Sequence, residues 1–264
     1  MIATEGAIKK SETVAKTKLK DVHHFIIRRP IDAHCHFRTD GMAEVTLQEL
    51  NRYYQIAIGM PNIKGRPIAK AEDVLWYRAR MMAICSRLGL KVNLQYMMML
   101  QDETAYQEVE ALNNLFGCVV AFKCYLKGTT TNSDEGVGNL FSRHFGGVFQ
   151  MMSDWKIPLS IHLEEPGEHN FFAEERALWR LEKLHELYPK LKIVMEHIST
   201  AKGIKLVSEM PDNIVGTLAI QHALLTGLDV SGNPHLWCKP MMKTALDREE
   251  IIRAALSGNP KFIS

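Results

Sequence analysis

Two histidines separated by one residue, His34 and His36, are the first residues along the chain whose spacing suggests chemistry. They lie in the stretch Asp32-Ala33-His34-Cys35-His36-Phe37-Arg38. On a β-strand, residues two apart face the same side, so this spacing aims both imidazoles at one point and turns Cys35 the other way. Neutral imidazole is a leading zinc ligand, and a rigid strand suits a site that must hold its ligands to tenths of an ångström. Taken alone, an HxH pair leaves a metal site and an ordinary packed pair equally open. Three further residues fall at corresponding places: His162 closes the run Ile157–His162, His197 closes Leu191–His197, and Lys123 stands near the end of Cys118–Cys124. One strand-end histidine is usually a capped core residue, but four histidines and a lysine at matching ends favour a metal site. Lys123 follows a wholly apolar stretch, where desolvation lowers a lysine pKa and leaves a reactive neutral amine. Such an amine can take up carbon dioxide as a carbamate. A lysine that snorkels to the surface is the other reading of the same residues.

These side chains need elements to position them. Short apolar runs recur at Ile31–His36, Gln55–Met60, Lys91–Met98, Cys118–Cys124, Ile157–His162, Leu191–His197 and Ile214–His222. Each is strand-length, and several are apolar on both faces, as in strands buried within a parallel sheet. Helical patterns lie between them. The clearest runs from Phe171 to Tyr188, where Ala177, Leu181, Leu184 and Tyr188 repeat at helical spacing before Pro189. Strict alternation of strand and helix gives an open doubly wound sheet or a closed (β/α)8 barrel. Seven runs and a last one beginning at Lys261-Phe262-Ile263-Ser264 favour the barrel, ending in or just after strand eight. No GxGxxG or GxxxxGK[ST] loop is present to cradle a nucleotide phosphate. In a barrel the strand ends named above converge on the face that carries active sites.

Composition narrows the class. The chain has 264 residues, 46% of them hydrophobic and 23% charged, and a net charge of +2. That mix suits a soluble globular α/β protein and gives no reason to expect nucleic acid or an acidic membrane as partner. No stretch approaches the ~20 apolar residues of a membrane helix. Five cysteines without CxxC spacing argue against a disulfide framework and a zinc finger, and point to free, mostly buried thiols in the cytoplasm. Met97-Met98-Met99 reads as core packing on a strand. Residues 1–24 carry five lysines among Ser, Thr and Ala with no apolar core, so they read as a flexible extension to a barrel over 25–264.

Longer stretches bring a family into view. RRPIDAHCHFR (Arg28–Arg38), GMPN (Gly59–Asn62), FKCYLKGTTTNS (Phe122–Ser133), IHLEE (Ile161–Glu165), MEHIS (Met195–Ser199) and NPHLWCKP (Asn233–Pro240) occur in this order. Together they resemble the dihydroorotases of the amidohydrolase superfamily, in particular the shorter single-domain bacterial type. The resemblance implies a TIM barrel that interconverts dihydroorotate and N-carbamoyl-L-aspartate in pyrimidine biosynthesis, working as a cytoplasmic homodimer. It also implies two zinc ions per subunit. His34 and His36 would hold one and His162 and His197 the other, with carbamylated Lys123 bridging them. Arg38 and Asn62 would bind the substrate carboxylate, for which the guanidinium fork is well suited. By spacing alone, the better reading of Asn62 is a turn residue after Pro61. Thr130 and Thr131 would belong to a mobile loop, Lys127–Ser133, that folds over substrate.

Some positions depart from the family pattern. The resemblance expects a proton-carrying, metal-binding aspartate at the end of strand eight, in a GTDSAPH-like segment, and this chain reaches Ser264 before it. The chain is therefore expected to be incomplete at its C-terminus, its own activity doubtful. Glu164 and Glu165 lie beyond the strand-five ligand and receive no role. Leu163 replaces a usual glycine, and Lys239 a usual apolar residue. His222 and His235 are expected to be structural or rim residues. Two alternatives accompany the enzyme reading: a non-catalytic scaffold or binding subunit, and an amidohydrolase acting on another cyclic amide such as a hydantoin.

Overall fold

The computed structural model describes residues 28–115 and 117–263. Eight strands form one parallel sheet in sequence order: β1 (Ile31–Cys35), β2 (Ile56–Gly59), β3 (Asn93–Leu100), β4 (Val119–Tyr125), β5 (Leu159–His162), β6 (Ile193–Met195), β7 (Ile214–Thr217) and β8 (Phe262–Ile263). Consecutive strands pair without exception, as in a βα-barrel. Among the described residues the ladder runs from β1 to β8 without a β8–β1 pairing. The expected α/β barrel architecture is present, and the run at Lys261 supplies its eighth strand.

The intervening helices are α1 (Met42–Tyr53), α2 (Ala71–Leu88), α3 (Tyr106–Asn114), α4 (Arg143–Asp154), α5 (Ala173–Leu187), α6 (Ala201–Glu209), two short pieces α7 (Ile220–Leu224) and α8 (Gly227–Val230), and α9 (Ala245–Leu256). Each long helix buries a stripe against the sheet. On α5 it is Ala173, Ala177, Leu181 and Leu184, close to the pattern read from the sequence. α9 begins with a capping box in which Thr244 Oγ1 accepts from the Asp247 amide and Asp247 returns a bond to the Thr244 amide. The run read as a strand over Ile214–His222 divides instead. Its first four residues join the sheet, and Ile220–Leu224 turns into α7, placing His222 on a helix. A short apolar run has no period that separates these two outcomes.

The core lies between sheet and helices. The methionine run alternates as a strand should: Met98 belongs to this main core, while Met97 and Met99 fall in two smaller clusters. Phe37 fills the space behind the HxH pair, with ring centroids 6.0 Å from both Tyr77 and Tyr96. Its ring covers Gly59 so closely that a Cβ there would stand 2.6 Å from Phe37 Cε2, which explains the glycine before Met60. All five cysteines are free, but only Cys124 is fully buried and the other four are half-buried, a correction to the expectation of mostly buried thiols. No helix among the described residues is long and apolar enough to cross a membrane. The expected extension over residues 1–24 lies outside the described residues.

Because Phe37 is completely buried in an aromatic cluster that backs β1 and β2, truncating it leaves a cavity. Phe37→Ala is expected to lower unfolding stability by about 3–5 kcal/mol, read as a shift in the urea midpoint at unchanged slope.

Candidate metal centre

The C-terminal ends of β1, β4, β5 and β6 bring the sequence-predicted residues together. His34 is in β1, and His36 lies one residue beyond it. Lys123 is in β4 and pairs in register with Ser160 of β5. His162 closes β5, and His197 lies two residues past β6. The His34 ring centroid is 5.5 Å from that of His36 and 5.1 Å from that of His197, and His197 is 4.8 Å from His162. His197 has φ of 40°, a left-handed conformation that a histidine adopts only under local constraint. The constraint is visible: its amide donates to Thr217 Oγ1 at 2.6 Å, and the following turn is tied to α5 by Ser199 and Thr200 bonds to buried Glu174.

Burial sets the protonation of these groups. Desolvation pushes His36 down to about 3, pushes His197 well below the ordinary imidazole range and lowers His162, so these rings are neutral at pH 7. Neutral imidazole is the metal-binding form. Lys123 is wholly buried, which removes the snorkelling alternative, and burial lowers its amine to about 8 despite Glu196 nearby. Its Nζ has no hydrogen-bond partner. It stands 3.8 Å from Glu196 Oε1, within ion-pair range but beyond a hydrogen bond, and 5.4 Å from the Tyr125 ring centroid.

Glu196, which sequence reasoning passed over, is the centre of this network. Its Oε2 faces His34 Nδ1 at 3.0 Å and accepts from Thr217 Oγ1 at 2.8 Å, and its Oε1 accepts from Ser160 Oγ at 2.5 Å. Burial alone would raise its pKa, but Lys123 and His34 outweigh that and hold the carboxyl below the usual range. The available signal was an acid inside the apolar run that ends at His197, since a buried charge must find partners. Glu164 is a second finding. Its Oε2 lies 2.8 Å from His162 Nε2 with both residues buried, although sequence reasoning left Glu164 without a role.

The substrate-side residues are arranged around Asn62. Its Oδ1 accepts from Tyr125 Oη at 3.0 Å and its Nδ2 donates to the Thr131 carbonyl at 2.9 Å, while Asn132 returns a bond to the Asn62 carbonyl at 3.1 Å. The loop Lys127–Ser133 is thus stapled to the loop after β2, with Thr131 exposed and Thr130 half-buried. Arg38 is exposed at the mouth, and its φ of 66° shows that the backbone has left the strand. The simple two-residue alternation from His36 to Arg38 therefore does not hold. His222 is structural, its Nε2 meeting the Pro240 carbonyl at 3.0 Å. Leu163 is buried in the main core, and Lys239 is half-buried.

The donor set fits metal ions. Among the described residues no three His, Cys, Asp or Glu side chains form a ready-made metal cage. The fit rests instead on the clustered imidazoles and on the buried amine of Lys123, which has no hydrogen-bond partner among the described residues. His162 Nδ1 and His197 Nε2 stand 3.1 Å apart. Two nitrogens on one tetrahedral zinc, each ~2.05 Å from it, would be about 3.3 Å apart.

No protein-family model matches the chain. Individual relatives do. The dihydroorotase of Acinetobacter baylyi is 34% identical over 241 residues, covering 89% of this chain and 68% of that protein. Among solved structures, the dihydroorotase of Campylobacter jejuni superposes with a TM-score of 0.83 at 29% identity, over 91% of this chain and 71% of that one. The Saccharomyces cerevisiae dihydroorotase in complex with 5-fluoroorotic acid gives 0.81 at 29% identity, over 89% and 67%. Sequence identity across nearly the whole described barrel and agreement of fold lead to one conclusion: the chain belongs to the dihydroorotase family, hydrolases that act on cyclic amides.

Proposed function

We propose that this site opens the ring amide of dihydroorotate and closes N-carbamoyl-L-aspartate in the reverse direction, in pyrimidine biosynthesis. The observation that carries the reading is the succession of four imidazoles, neighbouring ring centroids 4.8 to 5.5 Å apart, at strand ends beside a strand that carries a fully buried lysine with no hydrogen-bond partner among the described residues. His34 and His36 would hold one zinc, His162 and His197 a second, and Lys123 as its carbamate would bridge them. Bound zinc would supply Lewis acidity toward the amide carbonyl and would lower the pKa of water toward 7. A cytoplasmic homodimer belongs to the same proposal.

The chain's own residues would bind and orient the substrate. The Arg38 guanidinium pairs with the substrate carboxylate. Asn62 has one amide hydrogen left after its bonds to Tyr125 and Thr131, and that hydrogen is the natural second donor to the carboxylate. The loop carrying Thr130 and Thr131 then closes over the ring and excludes water. Lys123 reacts with carbon dioxide only as the neutral amine, and a dry setting that lowers its pKa to about 8 keeps part of it neutral near physiological pH. No aspartate stands in β8, Phe262–Ile263, among the described residues.

The decisive test measures zinc content and dihydroorotate hydrolysis in this chain and in a version continued by the corresponding segment of the Acinetobacter baylyi relative. Turnover by the continued protein supports the reading. Zinc binding with no turnover there would replace it with the binding-subunit alternative, and turnover of a hydantoin alone would replace the substrate. In the active form, Arg38→Lys is expected to lower kcat/KM by about 10- to 100-fold with zinc content unchanged, the loss of a bidentate charged hydrogen bond. Loss of zinc in that variant would place Arg38 elsewhere. Reloading zinc-stripped protein with zinc at fixed dissolved carbon dioxide is expected to accelerate as pH rises through about 8, because the neutral fraction of Lys123 rises with it. A rate independent of pH across that range would count against a carbamate.

A further inference from the structure

Two of the four imidazoles at the centre carry a buried carboxylate on the ring nitrogen turned away from their partners, and the two pairs are mirror opposites. His34 offers Nδ1 to Glu196 Oε2 at 3.0 Å, and His162 offers Nε2 to Glu164 Oε2 at 2.8 Å. An ionised carboxylate only accepts, so the proton between each pair belongs to the ring. That reasoning makes His34 the Nδ1–H tautomer, with a bare lone pair on Nε2. It makes His162 the Nε2–H tautomer, with a bare lone pair on Nδ1. The atom so assigned, Nδ1, is the one that faces His197 Nε2 at 3.1 Å. Glu164 and Glu196 are both 2% exposed or less, so water does not compete for these protons. Glu196 is further fixed by Ser160 and Thr217. Among the described residues Glu164 Oε1 has no partner and His162 is the only group bonded to that carboxylate. Among the described residues neither His36 nor His197 has such a carboxylate.

We propose that Glu164 and Glu196 are positioning residues that lock His162 and His34 in opposite tautomers, so that one ring presents Nδ1 and the other Nε2 to the metal centre. The consequence for metal affinity rests on the zinc reading above, but the tautomers themselves do not. A free histidine exchanges between its two tautomers, and a ring caught in the wrong one points a proton at the metal. Each carboxylate removes that wrong form for one ring. A glutamine at either position could turn its amide donor toward the ring and invert the tautomer.

The test uses the whole chain with 15N-labelled imidazoles, metal-free, the two rings being identified by His34→Gln and His162→Gln. The expected wild-type spectrum shows His34 protonated at Nδ1 and His162 at Nε2. In Glu196→Gln and Glu164→Gln, the ring facing the substitution is expected to change or lose its fixed tautomer while the other ring keeps its own. Zinc competition titration of the same variants is expected to show a 10- to 100-fold loss of affinity at one of two sites. A purely structural role would lower the melting temperature and leave the tautomers alone, and that result overturns the proposal. The opposite tautomer at either ring in the wild-type spectrum also overturns it, which keeps the test decisive if a variant does not fold. A wild-type protein that shows the expected tautomers but takes up no zinc would sink the zinc reading and leave the positioning of the rings standing.

Discussion

A carboxylate sealed inside a protein must replace its lost hydration with nearby donors, and Glu196 draws them from several strands at once. Ser160 comes from β5, Thr217 from β7 and His34 from β1, while Lys123 of β4 faces the same group at ion-pair distance. Removing one partner would leave a charge in a dry place, at a cost of several kcal/mol. The positions of these side chains therefore depend on one another. His34 is oriented because Glu196 is charged, and Glu196 stays charged because Lys123 and His34 are close. Thr217 extends the dependence by accepting from the His197 amide at the left-handed turn.

The same dryness prepares the chemistry. Burial disfavours imidazolium at His36, His162 and His197 and weakens the ammonium of Lys123. Four groups that would repel one another as cations can then share a small volume. Under the proposed function the requirement is reversed at Arg38 and Asn62, since a substrate carboxylate needs donors rather than lone pairs. Tyr125 lies between the two regimes. It comes from the same strand as Lys123, its ring lies 5.4 Å from that amine, and its hydroxyl orients the Asn62 amide.

Much of this was legible in the residues. The run before Lys123 announces a buried parallel strand because it is apolar on both faces. The matching positions of His162, Lys123 and His197 imply a shared rim because barrel strands end together. The seventh run misled for a physical reason: Ile220 is apolar but 71% exposed, and a short apolar run does not tell an exposed helical residue from one buried in a strand. Arg38 illustrates a second limit. Its place relative to His36 depends on a backbone dihedral of 66°, and no alternation rule anticipates a positive φ at an arginine. Glu164 and Glu196 were hidden because sequence position does not tell which ring a carboxylate will meet: Glu164 meets a histidine two residues away, while Glu196, beside His197, meets His34.

The bond between His34 and Glu196 also has a mechanical side. It joins the first strand to the residue after the sixth, elements that are five places apart along the ladder. Ladder bonds fix the spacing of adjacent strands but leave a curved sheet free to flatten or to close further. A tie across the arc acts like a string on a bow and sets the curvature directly. The bond is one of the contacts that hold the first strand and the residue after the sixth together across the mouth.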